Sequence, residues 1–365
     1  MDQRRRAFLA SGAIVGIFLL VQLGALAMVE PFKAQNYQFV EDTSDPTNSL
    51  VYVGAILVAT ALMLAVLKYD ADILLRGLVV FSGAYVAFYV FQVVLPPVVV
   101  SVAGTGVPVV AVGMAVLLGV ALWTYPEWYV IDAAGILMGI GAAGIFGINF
   151  GILPALVLLS VLAVYDAISV YGTEHMLTLA SGVMEMRVPI VLVIPLSLSY
   201  SFLDAETPEA VEDEDGDGEE AGEDAEPADD TGTESPDSED AESESDAGED
   251  ADGETEAEDH DIGDRDALFI GLGDAVIPTV LVASAAFFVT GVPTLALPGL
   301  SIPLPAGTAM VGTLVGLVVL LWMVLKGRAH AGLPLLNGGC IAGYLVGALA
   351  SGIPLVDALG LASFL

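Results

Sequence analysis

A succession of apolar runs constrains this chain more than any other feature. Nine of them read as membrane crossings, at about residues 7–29, 50–67, 77–95, 107–125, 128–148, 152–171, 267–289, 308–325 and 333–350. Uncharged runs of roughly 18 or more residues can span hydrocarbon only as helices, because a backbone without water must satisfy its own hydrogen bonds. With 56% hydrophobic residues overall, the predicted fold class is an all-α membrane protein, a polytopic bundle of nine transmembrane helices. The lipid bilayer is its first partner.

The net charge of −36 does not describe this bundle. Residues 204–266 hold 32 of the 46 acidic residues and a single basic one, Arg265, leaving the rest of the chain near −5. This tract of Asp, Glu, Gly, Ala, Ser, Thr and Pro has too few large apolar residues to build a core, and is predicted to be a disordered acidic loop between helices 6 and 7. The chain therefore divides into an N-terminal membrane part (1–203), an acidic linker (204–266) and a C-terminal membrane part (267–365). A further apolar segment, 188–202, is short for a crossing and contains Pro189 and Pro195. It is expected to be re-entrant, interfacial or paired with a partner segment. The tract would suit a salt-rich cytoplasm, so an extremely halophilic archaeon is the expected source.

Basic residues orient the bundle. Arg5-Arg6-Ala7-Phe8-Leu9 resembles a twin-arginine export signal, with Ala25-Leu26-Ala27 as a cleavage site. The apolar run, however, exceeds a signal core of about 7–15 residues and further crossings follow, so it is read as a first span. With nine spans and the N-terminus inside, Arg4, Arg5, Arg6, Lys68, Arg76, Arg187, Arg265, Lys326 and Arg328 are cytoplasmic and only Lys33 is outside. The expected location is the cell membrane, multi-pass, with the N-terminus and acidic loop cytoplasmic and the C-terminus outside. Trp123, Tyr125, Trp128 and Tyr129 suit a headgroup interface. Asp132 is expected at that interface, Asp357 towards the exterior, Glu174-His175 at a solvated helix end, and Met176, Met184 and Met186 in packing.

Two carboxylates do not fit an apolar setting. Asp166 lies in the sixth run and Asp274 in the seventh. An intramembrane carboxylate costs about 2.5–3.5 kcal/mol on insertion scales and is read as functional by default. Asp166 sits about 7.5 Å before the cytoplasmic end of its run, and Asp274 about 10 Å into the next, at 1.5 Å per residue. Antiparallel neighbours therefore place the two at similar depth. Close carboxyls in a low dielectric share a proton, which suits peptide hydrolysis: one activates water while its protonated partner polarises the scissile carbonyl. Gly271 and Gly273 leave room for another backbone beside Asp274. The lone Cys340 excludes disulfides and thiolate clusters, and no zinc-peptidase or serine-hydrolase motif is present.

Tyr165-Asp166, Gly271-Leu272-Gly273-Asp274 and a proline motif opening the ninth run resemble the presenilin and signal peptide peptidase family of intramembrane aspartyl proteases. The nine runs and the large loop between helices 6 and 7 match as well. The resemblance implies catalytic Asp166 and Asp274, with Tyr165, Gly271, Leu272 and Gly273 around them. It also implies that Pro334-Leu335-Leu336 supports the active-site conformation and substrate contacts. The family usually has Pro-Ala-Leu there, and Leu335 replaces the small alanine. Implied substrates are single-span membrane proteins or peptides with the N-terminus outside. No metal, organic cofactor or nucleic acid is expected, and accessory subunits and homo-oligomers stay open. Two other readings use the same residues: a proton- or cation-coupled transporter or channel, and a non-catalytic scaffold for membrane proteins.

Overall fold

The computed structural model describes residues 3–40, 42–68, 72–102, 105–172, 191–196, 200–201, 267–326 and 331–362. The acidic linker at 204–266 lies outside the described residues, as do Glu174, His175, Met176, Met184, Met186 and Arg187. The described chain runs α1 (Gln3–Ala34), α2 (Thr47–Lys68), α3 (Asp72–Val94), β1 (Val99–Val102), β2 (Thr105–Pro108), α4 (Val109–Thr124), α5 (Trp128–Asn149) and α6 (Ile152–Gly172). Then follow β3 (Val191–Pro195), β4 (Ala267–Gly271), α7 (Leu272–Phe288), β5 (Thr294–Leu297), β6 (Leu300–Pro303), α8 (Leu304–Val324), α9 (Gly332–Ala350) and the single turn α10 (Leu355–Ala358). Six helices, α1, α3, α5, α6, α8 and α9, are long and apolar enough to cross a membrane. Thr47–Met63 within α2, α4 and α7 are apolar but shorter. This is a multi-pass membrane protein, mostly helical.

The strands correct the all-α expectation. Each pairs antiparallel with one partner: β1 with β2, β3 with β4, and β5 with β6. The first and third pairs are local hairpins, and the third stands between α7 and α8. The β3–β4 pair joins segments on opposite sides of the acidic linker, with Val191 opposite Gly271 and Pro195 opposite Ala267. Of the three expectations for 188–202, pairing with a partner segment is what residues 191–195 do. Val-Leu-Val-Ile is rich in β-branched residues and too short to cross, so its amides find partners in a neighbouring strand. The seventh apolar run accordingly starts as strand, and its helix begins at Leu272 rather than at 267.

α5 is the hub of the bundle, packing against α1, α3, α7 and β3. Its glycines make this possible by letting neighbours approach on several sides. A Cβ on Gly141 would stand 2.7 Å from Val86 of α3, one on Gly144 would stand 3.0 Å from Phe32 of α1, and one on Gly147 would overlap Ala283 of α7. The core beside it gathers Phe150, Leu159, Leu281, Ala306 and Tyr344, drawn from the α5 end and α6 to α9. At one end, buried Asn149 ties down the segment after α1: its Oδ1 accepts from Phe39 N–H (2.7 Å) and Val40 N–H (3.1 Å), and its Nδ2 donates to the Tyr37 carbonyl.

α8 and α9 form the most intimate pair. Thr308, Gly312 and Gly316 recur every fourth residue on α8, and Leu335, Gly339, Gly343 and Gly347 do so on α9. Such rows lie on one helix face, and here the two rows meet backbone to backbone. A Cβ on Gly312 would overlap the Gly339 carbonyl, one on Gly316 the Leu335 carbonyl, and one on Gly343 the Thr308 carbonyl.

Candidate active site

Three helix segments converge on the two aspartates. Asp166 projects from the last two turns of α6. Asp274 is the third residue of α7, in its first turn, with β4 immediately before it. This revises the expectation that Asp274 lies two turns inside a helix: its depth is provided by a strand and then a helical turn. The third segment is the start of α9. The Leu333 N–H donates to Asp166 Oδ2 at 3.0 Å, and a Cβ on Gly332 would stand 3.6 Å from Asp274 Oδ2. A Cβ on Gly271 would lie at the same 3.6 Å from that oxygen. Adjacent residues of α9, Gly332 and Leu333, thus border one aspartate each.

The physical reason for this arrangement lies in helix ends. The first four amides of a helix have no intrahelical acceptor, and the helix dipole is positive there. Asp274 occupies that position on its own helix, and Asp166 faces the same position of α9. Asp166 is thereby met by a backbone donor, and both aspartates lie at helix N-termini whose field favours negative charge. Glycines at 271 and 332 keep side-chain bulk away from Asp274. Pro334 falls in the first turn of α9, where its missing N–H costs no helical bond.

The remaining predicted residues divide. Leu272 and Leu336 are buried in one cluster with Phe18, Ala275 and Leu317, so they pack the helices that carry the site. The Leu335 carbonyl lies against Gly316 in the α8–α9 seam. Gly273 is exposed, with only Ile277 near its missing Cβ. Tyr165 is 46% exposed. Hydrogen bonding to Asp166 comes from Leu333, just before the proline motif, rather than from Pro334-Leu335-Leu336. A backbone amide has no signature of its own in sequence, although a proline at the start of an apolar run does mark a helix start.

Three buried polar residues, Asn337, Asp132 and Glu127, are not marked as buried by the sequence. Asn337, 1% exposed, donates from Nδ2 to the Leu159 carbonyl at 2.9 Å and so fastens α9 to α6 one turn beyond Leu333. An amide inside an apolar run was the available signal. Asp132 was expected at the interface, but it is 8% exposed, and its Oδ1 accepts from the Val193 N–H of β3 at 2.7 Å. Glu127, 5% exposed, caps α5 and accepts from Ser201 Oγ at 2.6 Å. The start of α5 is thus bound by β3 through Asp132 and by Ser201 through Glu127, contacts between positions far apart in sequence.

The sequence matches the family described as signal-peptide peptidase, presenilin aspartyl protease, over residues 15–353. A solved presenilin family intramembrane aspartate protease in a C222 crystal form is 30% identical, with a TM-score of 0.57, over 93% of this chain and 99% of that one. A presenilin family intramembrane aspartate protease in a P2 form is also 30% identical, with a TM-score of 0.54, over 93% and 97% of the two chains. No curated protein sequence matches the chain. The chain belongs to the signal-peptide peptidase and presenilin family of aspartyl proteases.

Proposed function

We propose that this protein hydrolyses peptide bonds within transmembrane segments, using a water molecule activated by an Asp166/Asp274 dyad. The observation that carries the reading is the convergence of the two carboxyls on the N-terminus of α9. There Leu333 N–H binds Asp166, and Gly332 leaves space beside Asp274. A pair so placed holds one proton between two carboxyls, because both cannot easily ionise side by side. The ionised member takes a proton from water as the oxygen attacks the scissile carbonyl, and the protonated member donates to the developing oxyanion. The proton taken from water then passes to the amine nitrogen as the C–N bond breaks, and the collapsing gem-diol returns a proton to the other carboxyl, restoring the dyad. Gly271-Leu272-Gly273-Asp274 makes this a Gly-x-Gly-Asp type of site, and exposed Gly273 admits a substrate backbone unwound from its helix.

In this reading α1 to α9 are nine crossings, with the N-terminus and the acidic linker cytoplasmic and the C-terminus outside. Substrates are single-span membrane proteins or peptides. The reaction needs no cofactor, and the acidic linker suits a salt-rich cell interior.

The test is cleavage of a single-span reporter by purified protein in lipid at high salt, comparing wild type with Asp166→Asn and Asp274→Asn. The expected outcome is cutting by wild type and a loss of about 10²–10⁴-fold in each variant, the range removed with a general acid or base. Variants that cut as well as wild type overturn the assignment of these residues.

A further inference from the structure

Two buried carboxyl residues take no part in the dyad: Asp132 of α5 holds β3, and Glu127, the residue before α5, holds Ser201. Asp132 accepts from the Val193 N–H at the middle of β3, at 2.7 Å. Glu127 accepts from Ser201 Oγ at 2.6 Å. Val193 lies opposite Phe269 in β4. Gly271 ends β4, and Asp274 follows three residues later in the first turn of α7. The chain of contacts therefore runs from Asp132 to β3, from β3 to β4, and from β4 to the catalytic turn. A two-stranded sheet is marginal by itself, so an outside anchor is needed to fix where it lies. A hydrogen bond from a strand amide to a buried acceptor on another element fixes the strand at that point, and leaving the amide unpaired is costly. Here the acceptor is rooted in α5, the helix that also packs against α1, α3 and α7.

We infer that Asp132 is a positioning residue for the proteolytic reaction, its carboxylate fixing β3, and through β3–β4 the placement of Asp274 relative to the substrate backbone. The inference rests on the protease reading above. What Asp132 supplies is an acceptor at a defined point, so an amide oxygen in the same place performs the same task. A shift of about 1 Å at a reacting centre lowers turnover by about 10²-fold. A strand that slides also moves which peptide bond meets the dyad.

The experiment compares Asp132→Asn, which keeps an acceptor oxygen, with Asp132→Leu, which has similar bulk and no acceptor. A third variant, Val193→Pro, removes the donor from the other side, and Asp132→Leu/Val193→Pro closes the cycle. Cleavage positions are read by mass spectrometry of the products, kcat and KM are determined separately, and hydrogen exchange is followed at the β3 and β4 amides. Asp132→Asn is expected to cut at wild-type positions with kcat within about threefold. Asp132→Leu is expected to lose about 10- to 100-fold in kcat, to spread its cleavage positions, and to lose protection in β3–β4 while α8 and α9 keep theirs. Val193→Pro is expected to reproduce this, with the double variant no worse than either single one.

The inference is overturned if Asp132→Leu cuts at unchanged positions with unchanged kcat, or if β3–β4 protection is unaltered. It is also overturned if Asp132→Asn is as impaired as Asp132→Leu, because charge rather than the anchor is then what matters. Failure of wild type to cut any reporter sinks the protease reading, and hydrogen exchange at β3 and β4 still decides whether Asp132 anchors the sheet.

Discussion

The α8–α9 pair and the α3–α4 pair are built from similar ingredients and end in opposite packing. In the first, glycines on both helices face one another, and the backbones touch along the seam. In the second, Gly77, Ala84, Ala115 and Gly119 do not interlock. The helices meet through side chains at ordinary distances, beside an apolar groove of about 660 Å³ also bordered by Phe81, Tyr85, Phe88 and Trp123. Small residues therefore permit close approach without compelling it. The difference matches what each pair carries: α9 brings Gly332 and Leu333 to the carboxyls, where a displacement is costly, whereas no predicted site residue lies on α3 or α4. Backbone-to-backbone contact is found beside the site, and ordinary side-chain contact along a groove between α3 and α4.

Substitutions at the two pairs should separate sharply. Gly339→Leu places a branched side chain where the Gly312 carbonyl already lies, so the helices must part. Overpacking typically costs about 1–3 kcal/mol, and a backbone obstacle puts this at or above the upper end. The expected result is a poorly folded protein with little activity, seen as aggregation in size-exclusion chromatography and a fall in Tm.

Leu333→Pro acts on what the seam delivers. It deletes the N–H bound to Asp166, while Leu333→Ala keeps it. A hydrogen bond to a charged group is worth about 1.5–3 kcal/mol, so kcat should fall by about 10- to 100-fold in the proline variant alone. Equal kinetics for the two would mean that the amide is dispensable.

Asn337→Leu removes the tie between α9 and the Leu159 carbonyl. Interhelical side-chain bonds in membranes average about 0.6 kcal/mol, which predicts a small drop in denaturation midpoint and a modest loss of turnover. The smallest effect belongs to the α3–α4 pair. A Cβ on Gly119 would meet Ala84 Cβ at 3.5 Å, an ordinary contact. Gly119→Ala should thus leave cleavage unchanged and add up to about 1 kcal/mol of stability through helix propensity. A collapse of folding there would erase the contrast between the pairs.

Much of this molecule is legible along the chain. Each apolar run holds a helix, α1 to α9, of which six are long and apolar enough to cross a membrane. Asp166 and Asp274 stand out along the chain because a carboxylate is costly in an apolar run. Gly312, Gly316, Gly339 and Gly343 repeat at the spacing of one helix face, but nothing in their own segments says that they face each other.

What the sequence by itself determined is thus each segment's type, since hydropathy, helix breakers and charge act over a few turns of chain. Only the tertiary structure decided that 191–195 finds 267–271 across the acidic linker, that Asp132 is buried under β3 instead of lying at the interface, and that Leu333 lends its amide to Asp166. Each of these is a pairing of backbone groups distant in sequence. A peptide N–H is the same in every residue but proline, so its partner is chosen by where the packed helices bring it.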